Sequence, residues 1–382
     1  MKLNNLIKKL FINFRTLIES LNFNKTKYDL RFSPFQIVHK TYICNLRRYF
    51  PPELFLYSQK FLHPILLMVH PLAISSNIWD TTSNYSSANI LYTSGIDLWV
   101  IDFKSPVVIL GLSKPNISEY ILALSEIIDL IKKFSTTCPI YLLGYSQGGI
   151  LAYQTASYRR PKDLFGIITL GSPVKTLFFL PVNFINTLIK KIVNTINNYA
   201  IRYIDVSGRL TRIGFQIISP LKTVKSYLNF FVKFYNYECL PLDKYKWQFL
   251  SSKGWIKLTG VMIAELLKQF VVLNDMVNNK LIFNNHMIVL SSIKCPIFTI
   301  IGALDYISKL NSIRSIRQII SEVDTYECFA KTGHFGLIVG SKASSKIWPR
   351  IANWVKLANK PNLEDILLKL NWLTSDINKA PK

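Results

Sequence analysis

Residues 139–158 read PIYLLGYSQGGILAYQTASY. The run PIYLL at 139–143 carries no charge, as a strand buried on both faces requires. It runs straight into Gly144-Tyr145-Ser146-Gln147-Gly148-Gly149, and from Ile150 an apolar stretch of helical character follows. Strand, G-x-S-x-G turn and helix in that order make a nucleophile elbow. Such a turn holds its serine in a strained backbone conformation at the strand tip. Gly144 and Gly148 flank Ser146 because a Cβ at either position would collide with the neighbouring strand or helix. The hydroxyl then projects outward with a helix N-terminus, its free N–H groups and its partial positive charge behind it.

Outward from the elbow the strand and helix signals alternate. PILLMVH at 64–70, DLWVIDF at 97–103, LFGIITL at 164–170 and PIFTIIG at 296–302 are short apolar runs of strand length, and 324–329 is a further one. Residues 118–134 place Ile121, Leu122, Leu124, Ile127, Ile128 and Ile131 on one helical side, and a closing helix is expected at 343–357. Such alternation predicts an α/β fold with a mostly parallel sheet flanked by helices. Residues 175–287 break the rhythm. They are aromatic, basic and of helical pattern, with no Pro/Gly/Ser-rich hinge at either end, so they are expected to form a helical cap inserted over the sheet rather than a separate domain. The expected division is therefore 1–32 as a basic amphipathic helix and linker, 33–174 and 288–358 as the two parts of the core, 175–287 as the cap, and 359–382 as a tail.

Composition narrows the function classes. The chain has 382 residues, 49% of them hydrophobic and only 18% charged, which excludes intrinsic disorder. Lys and Arg number 46 against 22 Asp and Glu, a formal net charge of +24. So basic a balance attracts anions, although the joint abundance of Lys, Asn, Ile, Phe and Tyr is also what an AT-rich coding bias produces. No nucleic-acid motif accompanies the charge, and nucleic acid is not expected as a partner. Cys44, Cys138, Cys239, Cys295 and Cys328 are scattered without a C-x-x-C pair, so reduced thiols, no metal site and a cytoplasmic location are expected. Neither a secretory signal nor a membrane-spanning helix is expected. Residues 1–21 carry Leu3, Leu6, Ile7, Leu10, Phe14, Leu17, Ile18 and Leu21 on one stripe with Lys2, Lys8, Lys9 and Arg15 mostly off it. This pattern suits peripheral attachment to an anionic membrane or granule surface, and equally suits docking on the chain's own domain.

A serine is a poor nucleophile until a base takes its proton. Among His39, His63, His70, His286 and His334, the last lies after the final strand and before the final helix, where a loop overhangs the sheet edge that carries Ser146. The base needs a carboxylate to hold its tautomer. Asp305 follows PIFTIIG at the same sheet edge. Asp102, at the end of DLWVIDF, is the second choice, with pairing or capping near the cleft as its other reading. Two N–H donors must face the developing oxyanion. One is that of Gln147. The other should come from the loop after MVH, where Pro71 has no N–H and Leu72 is next. His70 is read as shaping that loop.

The order Ser146, Asp305, His334 is that of the α/β-hydrolases, and the chain resembles their poly(3-hydroxyalkanoate) synthase-like branch over roughly residues 33–358. The resemblance rests on SPFQIVHKTYICNLRRY at 33–49, ILLMVHPLAISSNIWD at 65–80 and DLWVIDFKSP at 97–106. It continues through YLLGYSQGGILAYQTA at 141–156, IITLGSPV at 167–174, IGALDYI at 301–307 and GHFGLIVGSKASSKIWPRIANWV at 333–355. It implies a cap over the active site, substrates that are acyl thioesters or polyesters, and no cofactor; a homodimer or a required partner subunit is left open. The polymerising synthases carry cysteine where this chain has Ser146. A thiolate suits repeated exchange between thioesters, whereas a serine ester is more usually resolved by water. The first expectation is thus a serine esterase or thioesterase acting on a hydrophobic acyl or 3-hydroxyacyl ester. The alternatives are a synthase-like acyltransferase with acyl-coenzyme A donors, and a non-catalytic granule- or membrane-binding protein on a hydrolase scaffold.

Overall fold

The computed structural model describes residues 33–49, 63–80, 86–105, 115–135, 137–159, 163–175, 205–212, 254–266, 276–278, 281–283 and 286–357. Eight strands form one sheet: β1 (Phe35–Lys40), β2 (Cys44–Tyr49), β3 (Ile65–Val69), β4 (Asp97–Phe103), β5 (Ile140–Tyr145), β6 (Gly166–Leu170), β9 (Ile297–Gly302) and β10 (Thr325–Ala330). Their spatial order is β1-β2-β4-β3-β5-β6-β9-β10. From β4 to β10 every neighbour is parallel, and β1 and β2 add an antiparallel edge. The central strands β3, β5, β6 and β9 are buried at every position, which is why their sequences are unbroken apolar runs rather than alternating ones.

Helices cover both faces. They are α1 (Ser87–Thr93), α2 (Ile117–Phe134), α3 (Gln147–Arg159), α4 (Gly260–Leu266), α5 (Leu310–Ile319) and α6 (Trp348–Leu357). The register shows which face each covers. Tyr141 pairs with Gly166, and Ile168 with Phe298, so Tyr141, Gly166 and Phe298 share one face. There Trp354 of α6 packs on the rings of Tyr141 and Phe298 at 5.6 and 5.5 Å, over the bare backbone of Gly166. Thr169 and Thr299 face the other way and meet the Tyr153 hydroxyl of α3, which bonds Thr169 Oγ1 at 3.0 Å. Helix α2 begins with a capping box between Asn116 and Glu119 and ends with Lys132 and Lys133, each charge favourable at its end of the helix.

The antiparallel edge was not visible as strands in the sequence, because CNLRRY carries two arginines. Both are answered across the β2–β4 ladder: Arg47 bonds Asp102 at 2.5 Å, and Arg48 holds Asp97 in a two-pronged pair at 2.9 Å while lying over the Trp99 ring. Helices α1 and α5 were likewise not anticipated. The described parts of 175–287, expected to be a helical cap, are not all helical. The strands β7 (Leu281–Phe283) and β8 (His286–Ile288) pair antiparallel across the expected boundary at 287. Bridges also join Ile74 to Trp255 and Val206 to Leu258. The Glu265 carboxylate accepts the Ile117 N–H at 2.8 Å, so α4 is tied to the start of α2. The expectations for 1–32, 359–382 and Cys239 lie outside the described residues. Among the described residues, Cys44, Cys138, Cys295 and Cys328 take part in no disulfide. Among the described residues, no helix is long and apolar enough to cross a membrane.

Candidate active site

Strand β5 delivers Ser146 directly into α3, and the backbone turns sharply there: Ser146 has φ of 53°, in the left-handed region that side chains avoid. The Ser146 N–H donates to the Leu170 carbonyl at 2.8 Å, which pins the turn to β6. The glycine requirement is steric. A Cβ on Gly148 would lie 2.1 Å from the Val69 carbonyl oxygen, and one on Gly144 would lie 2.3 Å from the Gly149 backbone. Helix, elbow and β3 thus close on one another with no room for a methyl group. The Gln147 N–H, first in α3, has no carbonyl of its own helix to bond.

Two further loops at the same sheet edge reach Ser146. His334 leaves the end of β10 and places Nε2 3.0 Å from Ser146 Oγ. Its Nδ1 lies 2.7 Å from Asp305 Oδ2, in the loop after β9. Both side chains are buried, and the Asp305 carboxylate has no exposure. The second carboxylate oxygen, Oδ1, accepts the N–H groups of Ile307 and Ser308 at 2.9 and 3.0 Å, so Asp305 cannot turn away from the imidazole without losing both. Ser308 in turn bonds the Gly171 carbonyl at 2.7 Å, fixing this loop to the end of β6. With the Nδ1 proton donated to Asp305, Nε2 is left as an acceptor for the Ser146 hydroxyl. The three side chains expected to converge therefore do so.

The other sequence candidates fall into place around this chain. Asp102 does not approach His334. It is held by Arg47 and by the Ser76 hydroxyl, each at 2.5 Å. Burial alone would raise its carboxyl pKa, but the Arg47 charge and these bonds outweigh that and hold it below the usual value. His70 is fully buried, with Nδ1 donating to the Pro71 carbonyl and Nε2 accepting the Phe103 N–H, both at 2.9 Å. Its burial pushes the imidazole pKa down, so it is a neutral strut of the loop after β3. Leu72 lies in that loop, 3% exposed, and its N–H meets the Gln147 side-chain oxygen at 3.1 Å. His39 is exposed, and His286 packs edge-on against Tyr158, away from the elbow.

Sequence reasoning missed three contributors. The Tyr145 ring lies against the His334 imidazole at 5.0 Å and against Trp79 at 6.3 Å, and nothing in a lone aromatic before the elbow serine signals that packing. The two backbone donors of the Asp305 loop were legible in principle, since Asp-x-x-Ser is a turn pattern in which the carboxylate bonds its own following backbone. The third, the contact of the Gln147 side chain with Leu72, links residues 75 positions apart and carries no local signal.

Fold and elbow together define an α/β-hydrolase-type enzyme. Within that class the sequence is poly(3-hydroxyalkanoate) synthase-like. It is 24% identical over 345 residues to the poly(3-hydroxyalkanoate) polymerase subunit PhaC of Allochromatium vinosum, covering 87% of this chain and 91% of that protein. Its identity to the PhaC subunit of Haloferax mediterranei is 22% over 310 residues, 76% of this chain but only 58% of that longer protein. No family model matches the sequence. A carboxylesterase structure from the thaumarchaeon Nitrososphaera gargenis shares the fold with a TM-score of 0.50 at 14% identity, over 85% of this chain and 99% of the other.

Proposed function

We propose that the protein is a serine hydrolase that cleaves a hydrophobic acyl or 3-hydroxyacyl ester or thioester through an acyl-enzyme. The unbroken path from Asp305 through His334 to Ser146, at 2.7 and 3.0 Å, carries this reading. Ser146 Oγ attacks the carbonyl carbon as His334 Nε2 takes its proton. The carbonyl oxygen gains negative charge and is met by the N–H groups of Gln147 and Leu72. Asp305 stabilises the imidazolium by charge and by the bond at Nδ1. As the tetrahedral species collapses, the bond to the leaving oxygen or sulfur breaks and His334 returns the proton to it. Water then repeats the sequence on the acyl-enzyme, releasing the acid and restoring Ser146. Residues 175–287 are proposed as the roof of the acyl pocket, and residues 1–21 as a peripheral membrane or granule contact.

A second reading, acyl transfer to a hydroxyl with an acyl-coenzyme A donor, is favoured by the extent of the similarity to polymerase subunits. Serine in place of their cysteine supports the first. The chemistry is tested with a fluorophosphonate probe and with 3-hydroxyacyl-coenzyme A. Labelling of the wild type that disappears in Ser146→Ala, with free acid as the product, supports hydrolysis. Chain growth replaces it with the second reading. Equal labelling of both proteins, or none of the wild type, removes the catalytic reading and leaves a binding protein on a hydrolase scaffold.

A further inference from the structure

The Leu72 N–H is engaged by the protein itself. Its acceptor is Oε1 of Gln147, the residue directly after the elbow serine, at 3.1 Å. The other end of the same amide, Nε2, is buried with no hydrogen-bond partner. The loop that carries Leu72 is held on its far side. Ile256 N–H donates to the Ala73 carbonyl at 2.9 Å, and Ser75 N–H donates to the Gly254 carbonyl at 2.8 Å. His70 anchors the start of the loop through both ring nitrogens. A donor fixed by its backbone on both flanks cannot swing away to meet a substrate. The mobile member of the pair is the glutamine side chain.

We propose that the Gln147 side chain is a built-in substitute for the oxyanion: its amide oxygen occupies Leu72 N–H in the free enzyme and gives way as negative charge develops on the substrate. This rests on the reading of Leu72 as an oxyanion donor. A neutral ester or thioester carbonyl is a weaker acceptor than the Gln147 amide, so it gains nothing by displacing it. A tetrahedral oxyanion is a much stronger acceptor, because hydrogen bonds to ionised oxygens are roughly twice as strong as neutral ones. The exchange therefore takes place as the transition state forms and not when the substrate binds, and reaching that state costs the enzyme the capping bond. It also keeps a buried donor satisfied between turnovers and leaves the amide Nε2, unpaired in the closed arrangement, free to find a partner when the side chain turns.

The test compares two side chains of nearly the same length. Gln147→Met has no carbonyl oxygen to cap Leu72, and Gln147→Glu offers a charged one; Gln147→Ala repeats the uncapping if the methionine variant unfolds, with thermal melts checking each protein. The readout is the second-order rate of fluorophosphonate labelling at Ser146 from pH 5 to 8. The uncapped variant is expected to label several-fold faster than wild type. The glutamate variant is expected to label at least tenfold more slowly at pH 8, with its ratio to wild type rising as pH falls and the carboxylate is protonated. Methionine and glutamate variants that label alike, or a glutamate-to-wild-type ratio flat in pH, would overturn the proposal while leaving the serine hydrolase reading intact. Absence of labelling in the wild type, or labelling that survives Ser146→Ala, would bring down both.

Discussion

Replacing Asp305 with asparagine keeps the shape of the side chain but removes its charge and changes the atom facing His334. The two oxygens of Asp305 have different surroundings. Oδ1 accepts two backbone N–H groups, and Oδ2 accepts the imidazole Nδ1–H. An asparagine must keep its oxygen at the two backbone donors, since the reverse orientation would set its NH2 against both. The NH2 then faces His334 and forces Nδ1 to become the acceptor. The proton moves to Nε2, which donates to Ser146 and can no longer take its proton. The loss combines a buried hydrogen bond to a charged group, about 1.5–3 kcal/mol, with the attraction of the imidazolium to the carboxylate and the wrong tautomer. Together these cost about 10⁴-fold in turnover in serine proteases, or about 5.5 kcal/mol. The assay is kcat on a short-chain p-nitrophenyl ester, with a thermal melt to show that the fold survives. A folded Asp305→Asn variant within about tenfold of wild type, while Ser146→Ala is inactive, would refute the role of Asp305.

Other expectations concern the frame around the site. Trp354→Ala empties the space between α6 and the rings of Tyr141 and Phe298, and should cost about 3–5 kcal/mol, seen as a lower urea midpoint with an unchanged slope. Tyr145→Phe keeps the ring against His334 but removes a buried hydroxyl that has no hydrogen-bond partner, so the melting temperature should rise; a fall would show that the hydroxyl is satisfied. His70 has its pKa lowered by burial, whereas in the unfolded chain it titrates near about 6.5. Below that pH the unfolded chain binds a proton that the folded one refuses, so stability is full above about 6.5 and is lost as pH falls towards the folded value. His70→Gln should be less stable at pH 7.5 but lose less between pH 7.5 and 5; parallel slopes for the two proteins would contradict this.

The parallel core was legible because β3, β5, β6 and β9 are buried on both faces, so their sequences are apolar at nearly every position and short enough to be strands. The edge strands were not, because β1 is largely exposed and β2 carries arginines whose partners lie on β4. A charge in a strand looks like a loop until the carboxylate opposite it is known. Helix α5 was hidden for a related reason. It leaves Asn311, Arg317 and Gln318 exposed and fully buries only Ser312, Ile313, Ser315 and Ile316, too few apolar positions to stand out as a stripe.

Local sequence alone settled the chemistry available at the elbow. Glycine, serine and glycine between a strand and a helix impose one backbone geometry, and backbone sterics act over a few residues. Position after a strand and chain order already put Asp305 ahead of Asp102 as the partner of His334; the distances came only with the fold, which pairs Asp102 with Arg47 and lays Asp305 beside the imidazole. So too for the engagement of Leu72 by Gln147 and the bridge from Trp255 to Ile74 in the loop beside it. Hydrogen bonds and ion pairs act over about 3 Å; which groups come that close, when tens to hundreds of residues separate them along the chain, is decided by the packing of the sheet and its loops.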